Sequence, residues 1–163
     1  MKYLLKTHEN PVIKLDLDSQ ESLNEFINRI WIIKNLGLKV DSIVCYDTRH
    51  GYHIYLYLDN ILTNFDMLII ESLLGSDFRK QLYNYLKMKN GTENWDILFE
   101  EKYVFNHLGH RICLSKEELN QELSDKIMNL ISFGTERNTG IFMRKPGTEE
   151  GKKVKGADGI DGG

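Results

Sequence analysis

Two acids and a nearby histidine carry the clearest chemistry in this sequence. In VIKLDLDS (residues 12–19), Asp16 and Asp18 stand two apart at the end of an apolar run. A strand sends residues i and i+2 to one face, so the two carboxylates project together with Cα atoms roughly 6.5–7 Å apart. Leu15 and Leu17 then point to the opposite face. Paired carboxylates of this kind suit one or two hard cations, Mg²⁺ or Mn²⁺, which take oxygen ligands. The plainer use is also open: Asp18 and Glu21 have capping-box spacing for a following helix, with Asp16 a solvated strand end.

The second stretch is YDTRHGYHIYLYLD (residues 46–59). Arg49 and His50 precede Gly51, which permits a tight turn or a close backbone approach. His53, Tyr55 and Tyr57 share one face of the strand that follows. Cation, imidazole and aromatic rings on one surface suit phosphate contact and stacking. The same residues also serve as an ordinary exposed strand with aromatic cross-strand pairs. A third stretch, NWDILFEEKYVFNHLGHRICLS (residues 94–115), offers Asp96 as a further carboxylate, with His110 and Arg111 as phosphate contacts. Asp96 as loop punctuation and Arg111 as a surface residue are the alternatives. Asp77 and Arg79 fall in a first helical turn, where an Asp complements the helix dipole.

The elements that must position these groups follow from periodicity. Residues 12–17, 40–46 and 52–58 read as strands, the last two joined by DTRHG as a hairpin. Leu23, Phe26, Ile27, Ile30 and Trp31 mark one helix running to Gly37. Phe65–Leu74 reads as a helix ended by Gly75. Ser76 opens another to about Met88, with Phe78, Leu82, Tyr85 and Leu86 on its apolar face. Short strands are expected at 95–99, 103–106 and 110–114. Ser115 and Glu118 have the spacing to open a last helix, and GIFM (140–143) adds a strand. The order implies an α+β domain with a mixed, mostly antiparallel sheet and flanking helices.

Bulk properties narrow the function classes. The 163 residues carry 21 basic and 24 acidic side chains, for a net charge of −3. That balance argues against a protein holding nucleic acid by nonspecific charge alone, and leaves room for a local basic groove. No apolar run reaches the ~18 residues of a membrane span, and the first residues are too weakly apolar for a signal peptide. A cytoplasmic protein without membrane partners is expected. Cys45 and Cys113 read as buried free thiols. Residues 1–143 are expected to form one domain. Residues 144–163 contain six of the 13 glycines and no aromatic residue, which reads as a disordered tail.

Taken together, the three stretches resemble the archaeo-eukaryotic primase (primase-polymerase) superfamily. VIKLDLDS is similar to its apolar strand ending in Asp-x-Asp. YDTRHGYHIYL is similar to its turn with basic residues leading to a strand histidine. NWDILF and GHRICLS are similar to its acid and its later arginine. The resemblance spans residues 10–116, and the chain departs from it in having Asp47 or Thr48 for the usual Ser and Cys113 near the usual Pro. It implies a primase-polymerase-like catalytic core in a small viral or plasmid-type member, acting in the host cytoplasm if viral. It implies metal-dependent nucleotidyl transfer in DNA replication, with Asp16, Asp18 and Asp96 holding Mg²⁺ or Mn²⁺. Phosphate contacts would come from His53, with Arg49 or His50, and from Arg111. Nucleoside triphosphates, a single-stranded template and a helicase or other replication protein are the implied partners.

Two other readings compete. One is a nucleic-acid-binding module without activity. The other is a Tyr-dependent DNA-nicking replication initiator, for which Tyr83 and Lys87 have a Tyr-x-x-x-Lys spacing. That chemistry uses a His-x-His pair, and here Tyr55 stands two beyond His53.

Overall fold

The structure is a computed structural model that describes residues 2–98 and 101–134. The expected GIFM strand and the tail at 144–163 lie outside the described residues. So does the boundary expected between residues 143 and 144. The described part is α+β, and every strand pair in it is antiparallel.

The central sheet contains β2 (Val12–Leu17), β3 (Val40–Asp47), β4 (Tyr52–Leu58) and the short β8 (Glu118–Leu119), in the order β2-β4-β3-β8. Strand β2 leads through α1 (Gln20–Asn28) and α2 (Trp31–Asn35) to β3. That crossover leaves a gap one strand wide, and the β3–β4 hairpin fills it. Two further ribbons stand apart in hydrogen bonding: β1 (Thr7–Glu9) with β5 (Ile61–Thr63), and β6 (Glu101–Phe105) with β7 (Arg111–Lys116). The remaining helices are α3 (Asn64–Leu73), α4 (Phe78–Lys89) and α5 (Gln121–Asn129), the last continuing into a π-helical turn at Leu130–Gly134.

Alternation in the strands sets the core. Ile13, Leu15 and Leu17 face the same way as Ile54, Leu56, Ile43 and Cys45, and all are buried. Leu23, Phe26, Ile30 and Ile33 of the α1–α2 segment and Ile127 of α5 complete that layer. The helix expected to run unbroken to Gly37 is instead two pieces. Tight bonds to the third residue back, Ile30 N–H to Ile27 O and Ile32 N–H to Arg29 O, break it at Arg29–Ile30. The 3-4-3 spacing of Leu23, Phe26, Ile30 and Ile33 keeps both pieces on one apolar face.

Strand β2 is a sheet edge, and its outward backbone groups are closed by the α3–α4 hairpin rather than by another strand. Lys14 N–H donates to Glu71 Oε1 (3.1 Å), and Asp16 N–H donates to Ser76 Oγ (3.0 Å). Asp77 N–H donates to the Asp16 carbonyl (2.9 Å), and Lys80 Nζ to the Lys14 carbonyl (3.1 Å). Buried backbone groups need such partners, and an edge covered this way cannot recruit another strand.

That polar docking reverses the face expected of α4. Gln81, Asn84 and Met88 are its buried residues, while Phe78, Leu82 and Leu86 are exposed and Tyr85 of the expected face packs partly against the core. Other expectations are corrected too. Ser76 does not cap α4; Asp77 does, accepting from Lys80 N–H. Residues 95–98 form no strand, residues 111–116 and 118–119 are strands, and the last helix starts from Asn120 as cap. Cys45 is buried, and burial pushes its thiol up to about 11, whereas Cys113 is exposed on β7.

Candidate active site

Register brings the two opening motifs together. Asp16 on β2 lies directly opposite His53 on β4. Because the Asp16 N–H and carbonyl both point outward to α3–α4, the two form a pair without mutual backbone bonds, the arrangement in which facing side chains come closest. His53 Nε2 lies 3.7 Å from Asp16 Oδ1. His53 is almost fully buried, and its Nδ1 meets Glu117 Oε2 at 2.7 Å. A carboxylate accepts, so Nδ1–H donates and Nε2 is turned toward Asp16. Glu117 sits between β7 and β8, and its own side chain is only 8% exposed. Nothing in the local sequence marked it, because the contact joins positions 64 apart.

Asp18 continues the same face just beyond β2. It does not cap α1: Ser19 is the cap, accepting from Ser22 N–H, while Asp18 Oδ1 accepts the Ser22 hydroxyl at 2.8 Å. Asp16, Asp18, Thr48, His50, Gly51, His53, Asp77, Phe78 and Arg79 line one open cavity of about 380 Å³. Its wall on the hairpin side is a tight turn, in which Thr48 N–H donates to Gly51 O (2.9 Å) and Gly51 N–H donates to Thr48 Oγ1 (3.1 Å).

Gly51 is required by proximity. A Cβ placed there would press on the Leu17 carbonyl oxygen and come within 2.7 and 2.8 Å of the Asp18 backbone. Rigid backbone cannot yield, so Gly51→Ala is expected to push the turn away from Asp18. Overpacking of this kind costs about 1–3 kcal/mol. Thermal melting should show the loss, and an unchanged melting temperature would mean that the turn does not rest on the acid strand.

The structure distributes the remaining predicted residues elsewhere. Arg49 is exposed and lines an adjoining hollow with Gln20, Asp47, Thr48, His50, Gly51, Tyr52 and Asn120. Arg111 lies on β7 with its guanidinium 3.5 Å above the Tyr103 ring. Asp96 is buried and lines a different hollow, beside Lys14, Asn64 and Trp95. Its Oδ1 accepts from Lys80 Nζ (3.0 Å) and Asn84 Nδ2 (3.2 Å). The structure therefore gathers Asp16, Asp18, His50 and His53, and does not bring Asp96 or Arg111 to them. Asp77 and Arg79 occupy the corresponding walls instead. Tyr83 is exposed on α4 and does not line the cavity of His53.

The donor set bears on the implied metal. Among the described residues no three His, Cys, Asp or Glu side chains converge to hold an ion. Mg²⁺ is commonly held by only one or two carboxylates, with substrate phosphates and water completing its shell. Asp16 and Asp18, on one open cavity, fit that mode. Among the described residues no helix is long and apolar enough to cross a membrane. Compared with protein-family models, with curated proteins and with solved structures, the chain gives no match.

Proposed function

We propose that this protein carries out metal-dependent nucleotidyl transfer of the primase-polymerase kind in DNA replication. The observation that carries the reading is the union, in one cavity, of the Asp16–Asp18 pair with His53 and the Thr48–Gly51 turn. Asp16 and Asp18 would hold Mg²⁺ or Mn²⁺, which when bound lowers the pKa of an attacking hydroxyl and offsets charge on the reacting phosphate. His53, held by Glu117 through Nδ1–H, faces the cavity with Nε2 and contacts a phosphate oxygen in its doubly protonated form, as an Nε2–H donor. His50 and Arg79 add donors along the rim and orient a triphosphate for in-line attack. Asp96 is committed to Lys80, so the role implied for it passes to Asp77 or is left to the first two acids. Nucleoside triphosphates, a single-stranded template and a replication partner such as a helicase belong to this proposal, as does a cytoplasmic setting.

A second reading, a nucleic-acid-binding module without turnover, is favoured by the removal of Asp96 from the cavity. Template-directed incorporation of labelled nucleotides in Mg²⁺ and Mn²⁺ separates the two. Extension supports transfer. Template binding without extension supports the module.

A further inference from the structure

Among the described residues Phe78 is the one Phe, Tyr or Trp side chain lining the Asp16–His53 cavity, and it is 73% exposed. It is the first residue of α4, where the reversed docking of that helix turns its ring outward. Asp77 Oδ2 accepts from the Lys80 N–H and fixes this first turn, while Asp77 N–H is tied to the Asp16 carbonyl. The ring is thus carried on the same strapped backbone as the acid strand. Arg79 lines the cavity beside it, with its guanidinium carbon 5.8 Å from the Phe78 ring centroid. Water on an exposed aromatic face is displaced at a gain when a planar group covers it. A ring held on a rigid helix start loses little freedom in doing so. Leu82 and Leu86 share the exposed stripe but do not line the cavity. Among the described residues Phe78 alone joins the apolar stripe to the polar pocket.

We propose that Phe78, flanked by Arg79, is the stacking platform for the nucleobase of the nucleotide whose phosphates lie toward Asp16, Asp18 and His53. This rests on the triphosphate reading above and names the part of the ligand that reading left unplaced. Base–aromatic stacking tolerates any base, because every base has a π-face. The platform therefore gives affinity and position, with base choice left to pairing with a template.

The test compares ATP with inorganic triphosphate, each titrated calorimetrically in Mg²⁺ against the wild type, Phe78→Ala and Phe78→Trp. Because Phe78 is largely exposed, all three should melt alike. The wild type should bind ATP more tightly than inorganic triphosphate. Phe78→Ala should weaken ATP roughly 5- to 100-fold and leave inorganic triphosphate unchanged, while Phe78→Trp should restore ATP binding. Equal ATP affinity in wild type and Phe78→Ala would overturn the platform and leave the phosphate site standing. Loss of ATP and inorganic triphosphate together in Phe78→Ala would also overturn it, since the ring would then be acting on the pocket. Failure of the wild type to bind either ligand would overturn the triphosphate reading and the platform with it.

Discussion

Lys80→Met should lower stability by about 3–5 kcal/mol, the cost of removing one partner from a buried ionic group, with Tm falling on the order of 10 °C. Lys80 Nζ is the only cation within hydrogen-bond reach of both Glu71 Oε2 (3.5 Å) and Asp96 Oδ1 (3.0 Å) among the described residues, and it also closes the Lys14 carbonyl. Burial alone would lower the lysine pKa; the charges of Glu71 and Asp96 outweigh it and hold it raised. Met has a similar volume but leaves buried Asp96 without its cation and the Glu71 carboxyl without the Lys80 donor. A melting temperature unchanged in Lys80→Met would show that the cluster does not hold α4 to the β2 edge.

Within that cluster, burial first, and then the hydrogen bond and charge of Asp96, raise Glu71 well above its ordinary value of 4.5. Among the described residues the buried Asp96 Oδ2 has no other hydrogen-bond partner, and a neutral Glu71 carboxyl supplies the donor. The sign follows from linkage: the folded state holds a proton that the unfolded chain releases near pH 4.5. Stability from Glu71 is therefore full below that pH and lost as pH rises toward the folded pKa. Lys80 contributes throughout, because its raised pKa keeps it charged below 10.5. Glu71→Gln keeps an acceptor for the Lys14 N–H and carries no charge to bury. Denaturation measured from pH 4.5 to 9 should give a flatter profile for Glu71→Gln than for the wild type. Parallel profiles would contradict a protonated Glu71.

The second large effect is on activity. If the proposed transfer is the activity, Asp16→Asn and Asp18→Asn should each reduce template-directed incorporation by about 10²–10³-fold, the typical loss on removing a group that stabilises charge in the transition state. Both changes are isosteric. Among the described residues the Asp18 side chain accepts only the Ser22 hydroxyl, and α1 keeps its Ser19 cap, so stability should shift by less than about 1 kcal/mol for Asp18→Asn. Incorporation at the wild-type rate in either variant would remove the acids from the chemistry. A large loss of stability in Asp18→Asn would mean that its role is structural.

How much of this was legible depends on how local each cause is. Strands 12–17 and 52–58 were readable because Ile13, Leu15 and Leu17 alternate with Lys14 and Asp16, and Ile54, Leu56 and Leu58 with His53, Tyr55 and Tyr57. Placing Asp16, Asp18 and His53 on common faces needed nothing more. Their meeting needed only that β4 pair with β2, which sequential strands often do. The alternative of Asp18 as a cap fails because Ser19 stands one place on with an equal claim. The face of α4 was misread for a deeper reason. Phe78, Leu82 and Leu86 announce a helix, but the partner on the other side is a strand edge demanding polar groups, so Gln81 and Asn84 turn inward. Asp96 and Glu117 depend on contacts with Lys80 and His53, remote in sequence and set only by the assembled fold.

One cavity, walled by β2, the β3–β4 turn and the start of α4, is the proposed site for a nucleoside triphosphate. Amide chemical shifts recorded while ATP and Mg²⁺ are titrated into the wild-type protein test this without requiring turnover. The largest shifts are expected at Asp16, Asp18, Thr48, Gly51, His53 and Phe78, with little change around His8, Asn64 and Trp95. Shifts centred on the His8–Trp95 hollow, or none at saturating nucleotide, would contradict it.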